Sequence, residues 1–324
     1  VSGYAAEIAI KRNHDGEFQE VNFVISQMGA LILCGLVWRI IRPGGLDADS
    51  TRQVLTSVVY YLLLPALVLK VLWSAPLGLN SVAIAAVAAA GVLFAILLSW
   101  QICRSCKHSG RVTGAVILAA AFPNATYMGL PVLESIFGES GRSIAIQYDL
   151  FACTPLLLTV GVLVSRYFGE GGRQANVMKE LLHVPPLWAA VAAVILNSMQ
   201  VPFPAWLESW LGLLAAGVVP LMLFSLGLGL RWDTWRPAHL PKLIPVVLLQ
   251  LILTPLLVWF LADQFGLKGD LLIGVVLEAA MPSMVLGIVF CDRYKLDTGL
   301  YAAAVTLTTA LSLITLPLWY GWLS

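Results

Sequence analysis

The sequence predicts an all-α polytopic membrane protein: ten transmembrane helices in a 5+5 inverted repeat, with crossed, broken helices 4 and 9. Three observations predict it: an apolar composition, basic residues that alternate from loop to loop, and interrupting prolines that recur in both halves. Hydrophobic residues make up 59% and charged residues 11% of the 324, and mean hydropathy is +0.87. Soluble domains run nearer half apolar and about a quarter charged. That balance excludes a cytosolic enzyme, a secreted disulfide scaffold and a disordered tail. Nineteen basic against 18 acidic residues, net +1, leave no field for nucleic acid. A porin-type barrel would alternate every second residue, and these apolar runs are continuous.

The runs fall at about 21–41, 53–73, 81–102, 112–136, 143–166, 185–200, 206–230, 243–262, 270–291 and 299–321, near the length a bilayer crossing needs. Residues 1–20 form a polar N-terminal segment without a signal peptide's apolar stretch; beginning at Val1, they read as a trimmed or appended start. The loops after spans one, three, five, seven and nine carry Arg39, Arg42, Arg52, Arg104, Lys107, Arg111, Arg166, Arg173, Lys179, Arg231, Arg236, Lys242, Arg293 and Lys295. The opposite side has only Lys11, Arg12, Arg142 and Lys268, with Lys70 inside span two. Basic loops stay cytoplasmic, so we expect a multi-pass protein of the cell (inner) membrane with both termini outside the cytoplasm. Tryptophans agree. Trp38, Trp100, Trp188, Trp232 and Trp235 fall at inner ends; Trp73, Trp206, Trp210, Trp259, Trp319 and Trp322 fall at outer ends, where interfacial rings belong.

A polar cytoplasmic linker, 167–184, divides a first repeat (21–166) from a second (185–322). Five spans per half make any repeat inverted, and the halves share punctuation. Pro65 in span two matches Pro220 in span seven, and Ala120-Ala121-Phe122-Pro123-Asn124 matches Ala279-Ala280-Met281-Pro282-Ser283. We expect simple kinks at Pro65 and Pro220. Pro123 and Pro282 lie near mid-membrane, each followed by a short polar residue and soon by a glycine (Gly129, Gly287), which points to broken, crossing helices. Two half-helices meeting there aim amides of partial positive charge into one volume. With Asn124 and Ser283 beside them, such a site suits a small anion, above all a carboxylate.

Ionisable residues inside spans call for a reason. Glu278, one turn before Pro282, reads either as a protonated carboxyl capping a neighbouring backbone group or as a proton or cation site. Asp149, in Gln147-Tyr148-Asp149 of span five, mirrors Thr308 of span ten, and both could line the crossover. Cys34, Cys103, Cys106, Cys153 and Cys291 read as small core residues, because Cys103-x-x-Cys106 lacks the second pair of a metal site. His14, His108, His183 and His239 fall in loops. The chain shows no phosphate loop, nucleophile–base pair or metal cluster. We therefore expect no enzyme and no cofactor beyond a coupling ion, H⁺ or Na⁺.

The stretch Pro123-Asn124-Ala125-Thr126-Tyr127-Met128-Gly129-Leu130-Pro131, followed by Gly138, resembles the fourth-helix signature of the auxin efflux carrier family, which holds the plant PIN-FORMED carriers and many bacterial permeases. The segment from Ala279 through Tyr294-Lys295-Leu296-Asp297 to Thr308–Pro317 resembles its C-terminal signature, and the likeness covers about residues 22–322. The resemblance implies the fold shared with bile-acid/sodium symporters, crossover helices four and nine, and a scaffold of helices one, two, six and seven that forms homodimers. The remaining helices would form an elevator-like transport domain. The family's crossover asparagine matches Asn124; plant members often keep an amide where this chain has Ser283, and their long cytosolic loop is short here.

The expected function is secondary active transport of a small organic anion (carboxylate), bound at the crossover by Pro123, Asn124, Thr126, Tyr127, Pro282 and Ser283. Gln147, Asp149, Glu278 and Thr308 are the expected coupling or polar residues. The alternatives are a sodium-coupled symporter of the bile-acid type and a non-transporting membrane ligand sensor.

Overall fold

The computed structural model describes residues 26–169, 184–230 and 239–324. The polar start 1–20 and most of the 167–184 linker lie outside the described residues. So do Arg231, Trp232, Trp235 and Arg236, and with them the expected loop residues Lys11, Arg12, His14, Arg173, Lys179 and His183.

Among the described residues every regular element is helical. They are α1 (Ser26–Ile41), α2 (Ala48–Ser74), α3 (Leu79–Ser105), α4 (Gly110–Ala121), α5 (Ala125–Phe168), α6 (Pro185–Ser198), α7 (Ala205–Gly229), α8 (Leu240–Gln264), α9 (Asp270–Ala279), α10 (Gly287–Arg293) and α11 (Thr298–Leu323). Six of them, α2, α3, α5, α7, α8 and α11, are long and apolar enough to cross a membrane, and α1, α4 and α6 are shorter apolar helices. The chain is a multi-pass membrane protein.

α5 is not one rod. Gly138 takes φ 61°, ψ −133°, a conformation open to glycine, and the chain doubles back there. Glu134 and Arg142 form an ion pair eight residues apart, although a straight helix would set them about 12 Å apart. Gly141 packs against the Leu133 carbonyl so closely that a Cβ would collide with it. The turn falls between spans four and five as marked from hydropathy.

Four prolines shape the long helices through one device, whereas Pro245 in α8 and Pro317 in α11 sit within regular α-helix. A π turn at Val59–Leu63 precedes Pro65, one at Ala125–Gly129 precedes Pro131, one at Asp149–Cys153 precedes Pro155, and one at Leu249–Leu253 precedes Pro255. A proline ring clashes with the carbonyl four residues before it and offers no amide. The ladder relieves the clash by widening, so Leu64, Leu130, Thr154 and Thr254 each donate five residues back, to Val59, Ala125, Asp149 and Leu249. A further π turn, Leu157–Gly161, has no proline after it. At Pro220 the helix is only interrupted in its hydrogen-bond ladder: Ala216 and Gly217, between Ala205–Ala215 and Val218–Gly229, keep right-handed helical angles and α7 runs on. Pro220 then sits in a first turn, where the missing amide costs nothing.

The helices pack in two groups. In the first, α2 holds α6 and α7, and α1 crosses α7 where Gly35 and Gly227 bring the two backbones into contact, a small-residue crossing typical of membranes. In the second, α3 packs on α4, α5 and α8, α9 on α5 and α8, and α11 on α4. The cysteines divide: Cys103, Cys153 and Cys291 are buried as expected, but Cys34 and Cys106 are exposed. Cys34 lies on an outward apolar face of α1, and Cys106 caps the end of α3 at its loop.

Candidate functional site

α4 stops because Pro123 follows Phe122. The residue before a proline avoids helical angles, and Phe122 is extended at φ −112°, ψ 103°. α9 stops at Ala279, just ahead of Pro282. The two gaps lie antiparallel, with Pro123 opposite Ser283. The Asn124 amide donates to the Pro282 carbonyl at 2.7 Å, and the Met284 amide donates to the Phe122 carbonyl at 2.9 Å. Each break thus supplies partners for the other, as backbone groups freed within a bilayer require.

Side chains tie the remaining ends. The Ser283 hydroxyl donates to the Ala119 carbonyl (2.6 Å), and the Ser283 amide donates to Thr308 Oγ1 (3.1 Å). Gln250 Nε2 donates to the carbonyls of Met281 (2.8 Å) and Ala279 (3.3 Å), and the Tyr301 hydroxyl donates to that of Met284 (2.6 Å). Gln250 and Tyr301 are absent from the residues expected from sequence, although a lone glutamine in the apolar run 246–253 is a signal for such a partner. The amides expected to stand open at the breaks are, at Asn124, Ser283 and Met284, engaged within the crossover. Ser283 and Thr308 serve there as structural ties.

What stays open is the Asn124 side chain. It is fully buried, and neither Nδ2 nor Oδ1 has a hydrogen-bond partner. A buried amide left unmatched costs about 1–3 kcal/mol, so this one marks a place where a partner belongs. Asn124 lines a cavity of about 50 Å³ together with Thr126, Tyr127, Asp149, Tyr60 and Met284, enough for roughly three or four waters. Asp149 is buried; its Oδ2 accepts from the Thr126 hydroxyl and its Oδ1 from the Thr154 hydroxyl at 2.9 Å. Tyr60 and Thr154 join the site from α2 and α5 without having been expected there.

The other expected residues sit elsewhere. Glu278 is fully buried on α9, its carboxyl filling the space a Cβ on Gly129 would occupy. Neither carboxyl oxygen has a hydrogen-bond partner, so it caps no backbone group. Gln147 donates to Ser143 Oγ at 2.8 Å and lines a separate cavity of about 390 Å³ with Lys70, Asn80 and Arg142. A third cavity, about 380 Å³, is lined by Arg52, Gln53, Ser225 and Asp292. Tyr127 and Leu286 border both it and the Asn124 cavity. All three cavities lie between the two helix groups.

Comparison with known proteins adds the context. A profile of the family described as "Membrane transport protein" matches residues 31–320. A transporter of Methanothermobacter thermautotrophicus, described as uncharacterized, is 31% identical over 292 residues, covering 89% of this chain and 94% of its own length. Another from Methanocaldococcus jannaschii is 26% identical over 303 residues, covering 90% and 95%. A third, from Escherichia coli K12, is 23% identical over 227 residues, covering 68% and 72%.

Proposed function

This chain belongs to the membrane transport protein family, that of the auxin efflux carriers its motifs resemble, and from that premise we propose that it is a secondary active transporter of a small carboxylate. The observation that carries the reading is the unpartnered amide of Asn124, buried in a cavity between two helix groups at the meeting of two broken helices. An amide donor there complements a carboxylate oxygen, and the positive ends of the half-helices beyond each break favour an anion.

In the proposed architecture ten crossings form two inverted halves of five, in the cytoplasmic membrane, with both termini outside. Support comes from the hairpin at Gly138, which separates spans four and five, and from the paired breaks. The α1, α2, α6 and α7 group would be the fixed scaffold, and the group around α3, α5 and α9 would carry the substrate in an elevator-type movement. The cavities on both sides of the crossover, each bounded by both groups, support such a sliding interface. Arg52 and Asp292 belong to the basic-loop side, so the cavity reaching Tyr127 would open to the cytoplasm. Asp149 or Glu278 would couple transport to an ion, H⁺ or Na⁺.

The experiment is uptake or counterflow of small carboxylates in proteoliposomes with Asn124→Ala. The variant should lose saturable transport while its melting temperature stays near that of the wild type. Undiminished transport by a folded variant sinks the assignment.

A further inference from the structure

The same cavity holds a feature that a simple anion site would not contain. Asp149 lines it beside Asn124, and among the described residues its oxygens accept hydrogen bonds from the hydroxyls of Thr126 and Thr154 alone. Among the described residues no lysine, arginine or histidine pairs with it. The titratable groups around it offer no compensating charge: Tyr60 from α2 and Tyr127 from α5 line the same cavity, and Cys153 of α5 and Glu278 of α9, off the cavity but within electrostatic reach, could only add negative charge. Arg52 lies across Tyr127, in the adjoining cavity. A carboxylate guest at Asn124 would therefore face a second carboxylate in a space of about 50 Å³, where like charges cannot both stay ionised.

Resting on the carboxylate reading above, we propose that the guest's carboxylate and one proton occupy this cavity together, the proton being carried on Asp149. A proton from water joins an Asp149 oxygen, and the new O–H donates to a guest oxygen while the carboxyl keeps its threonine bonds. On release to the other side the proton returns to water. For a monocarboxylate one negative charge and one proton move together, so the transported unit is neutral; a dicarboxylate would carry its second charge across. Glu278, sealed behind Gly129 and off the cavity, does not touch the guest.

The test uses the full chain, purified, with acetate, malonate, succinate and benzoate as probes and glycine as the zwitterionic control. Binding is read as thermal stabilisation between about pH 5 and pH 8, since a ligand that binds the folded state raises its melting temperature. One-proton linkage makes Kd rise about tenfold per pH unit where empty Asp149 is ionised. Asp149→Asn, neutral at every pH, should bind the monocarboxylates acetate and benzoate with a flat profile from about pH 6 to pH 8, where they stay ionised. Wild-type binding that ignores pH, while Asn124→Ala abolishes it, overturns the proton and leaves the carboxylate site standing. No carboxylate probe binding at all, or Asn124→Ala binding normally, overturns the carboxylate reading itself. Preference for glycine with binding that weakens as pH falls means Asp149 pairs with a cationic group, and the proposal fails. A slope that persists in Asp149→Asn and disappears in Glu278→Gln moves the proton to Glu278, which also overturns it.

Discussion

Gly129 and Glu278 form a pair in which each residue explains the other. Pro131 forces the π turn at Ala125–Gly129, and that turn brings a backbone without a side chain against the Glu278 carboxyl. A methyl at 129 would collide with both carboxyl oxygens. Gly129→Ala should therefore destabilise the fold by about 1–3 kcal/mol through overpacking, read as a lower melting temperature in detergent. Removing the carboxyl should relieve it, so Gly129→Ala/Glu278→Ala should melt above Gly129→Ala alone, a non-additivity expected of touching residues. Additive effects would mean that the two do not meet. At this scale the chemistry of Pro123 and Asn124 is legible, because a proline followed by a short amide acts within its own few residues. The neighbour relations are not. Thr126 meets Asp149 across 23 positions and Ser283 meets Ala119 across 164. No local spacing encodes contacts made only when separate helices pack, which is why Gln147, two residues from Asp149, belongs to a different cavity.

Between residue and molecule, the helices show how prolines are accommodated in lipid. Pro255 cannot donate to the Leu251 carbonyl four residues earlier, and water cannot reach it from the bilayer. Trp319 of α11 supplies the missing donor, its Nε1 lying 2.8 Å from that oxygen. An indole placed by sequence at an outer interface is thus also a cap for a neighbouring helix. Trp319→Phe should cost about 1 kcal/mol, the scale of interhelical hydrogen bonds in membranes. In a Pro255→Ala background, where residue 255 regains an amide to offer, the same substitution should cost measurably less. The check is a double-mutant cycle on melting temperature or reversible unfolding in mixed micelles. Equal costs in both backgrounds would show that the indole does not serve the orphaned carbonyl. Hydropathy and prolines make the helices and their interruptions legible, including the turn at Gly138. They leave the consequence at each proline open: a widened turn at Pro65, an interrupted ladder with helical angles kept at Ala216–Gly217 before Pro220, a full break at Pro123.

On the scale of the molecule, function follows from the seam between two helix groups, which has cavities on either side of the crossover. A single through-going channel would need those cavities joined. Here Tyr127 and Leu286 separate the small Asn124 cavity from the cleft on the basic-loop side, an arrangement that suits alternating access. Orientation then decides which bath each cavity serves, and it rests on the asymmetry of lysines and arginines between loops. Gln53 and Asn80 are exposed and line opposite cavities, so they report the two sides. In a background lacking the exposed Cys34 and Cys106, Asn80→Cys should react with an impermeant maleimide added to intact cells. Gln53→Cys should react only after the membrane is permeabilised. The reverse pattern would invert the molecule, and labelling of both from one side would remove the separation on which alternating access depends. A saturating carboxylate adds a further reading. If the groups slide past each other during transport, its presence should change the labelling rates of the two cysteines in opposite directions, because closing one cavity opens the other; a channel would leave both rates moving together.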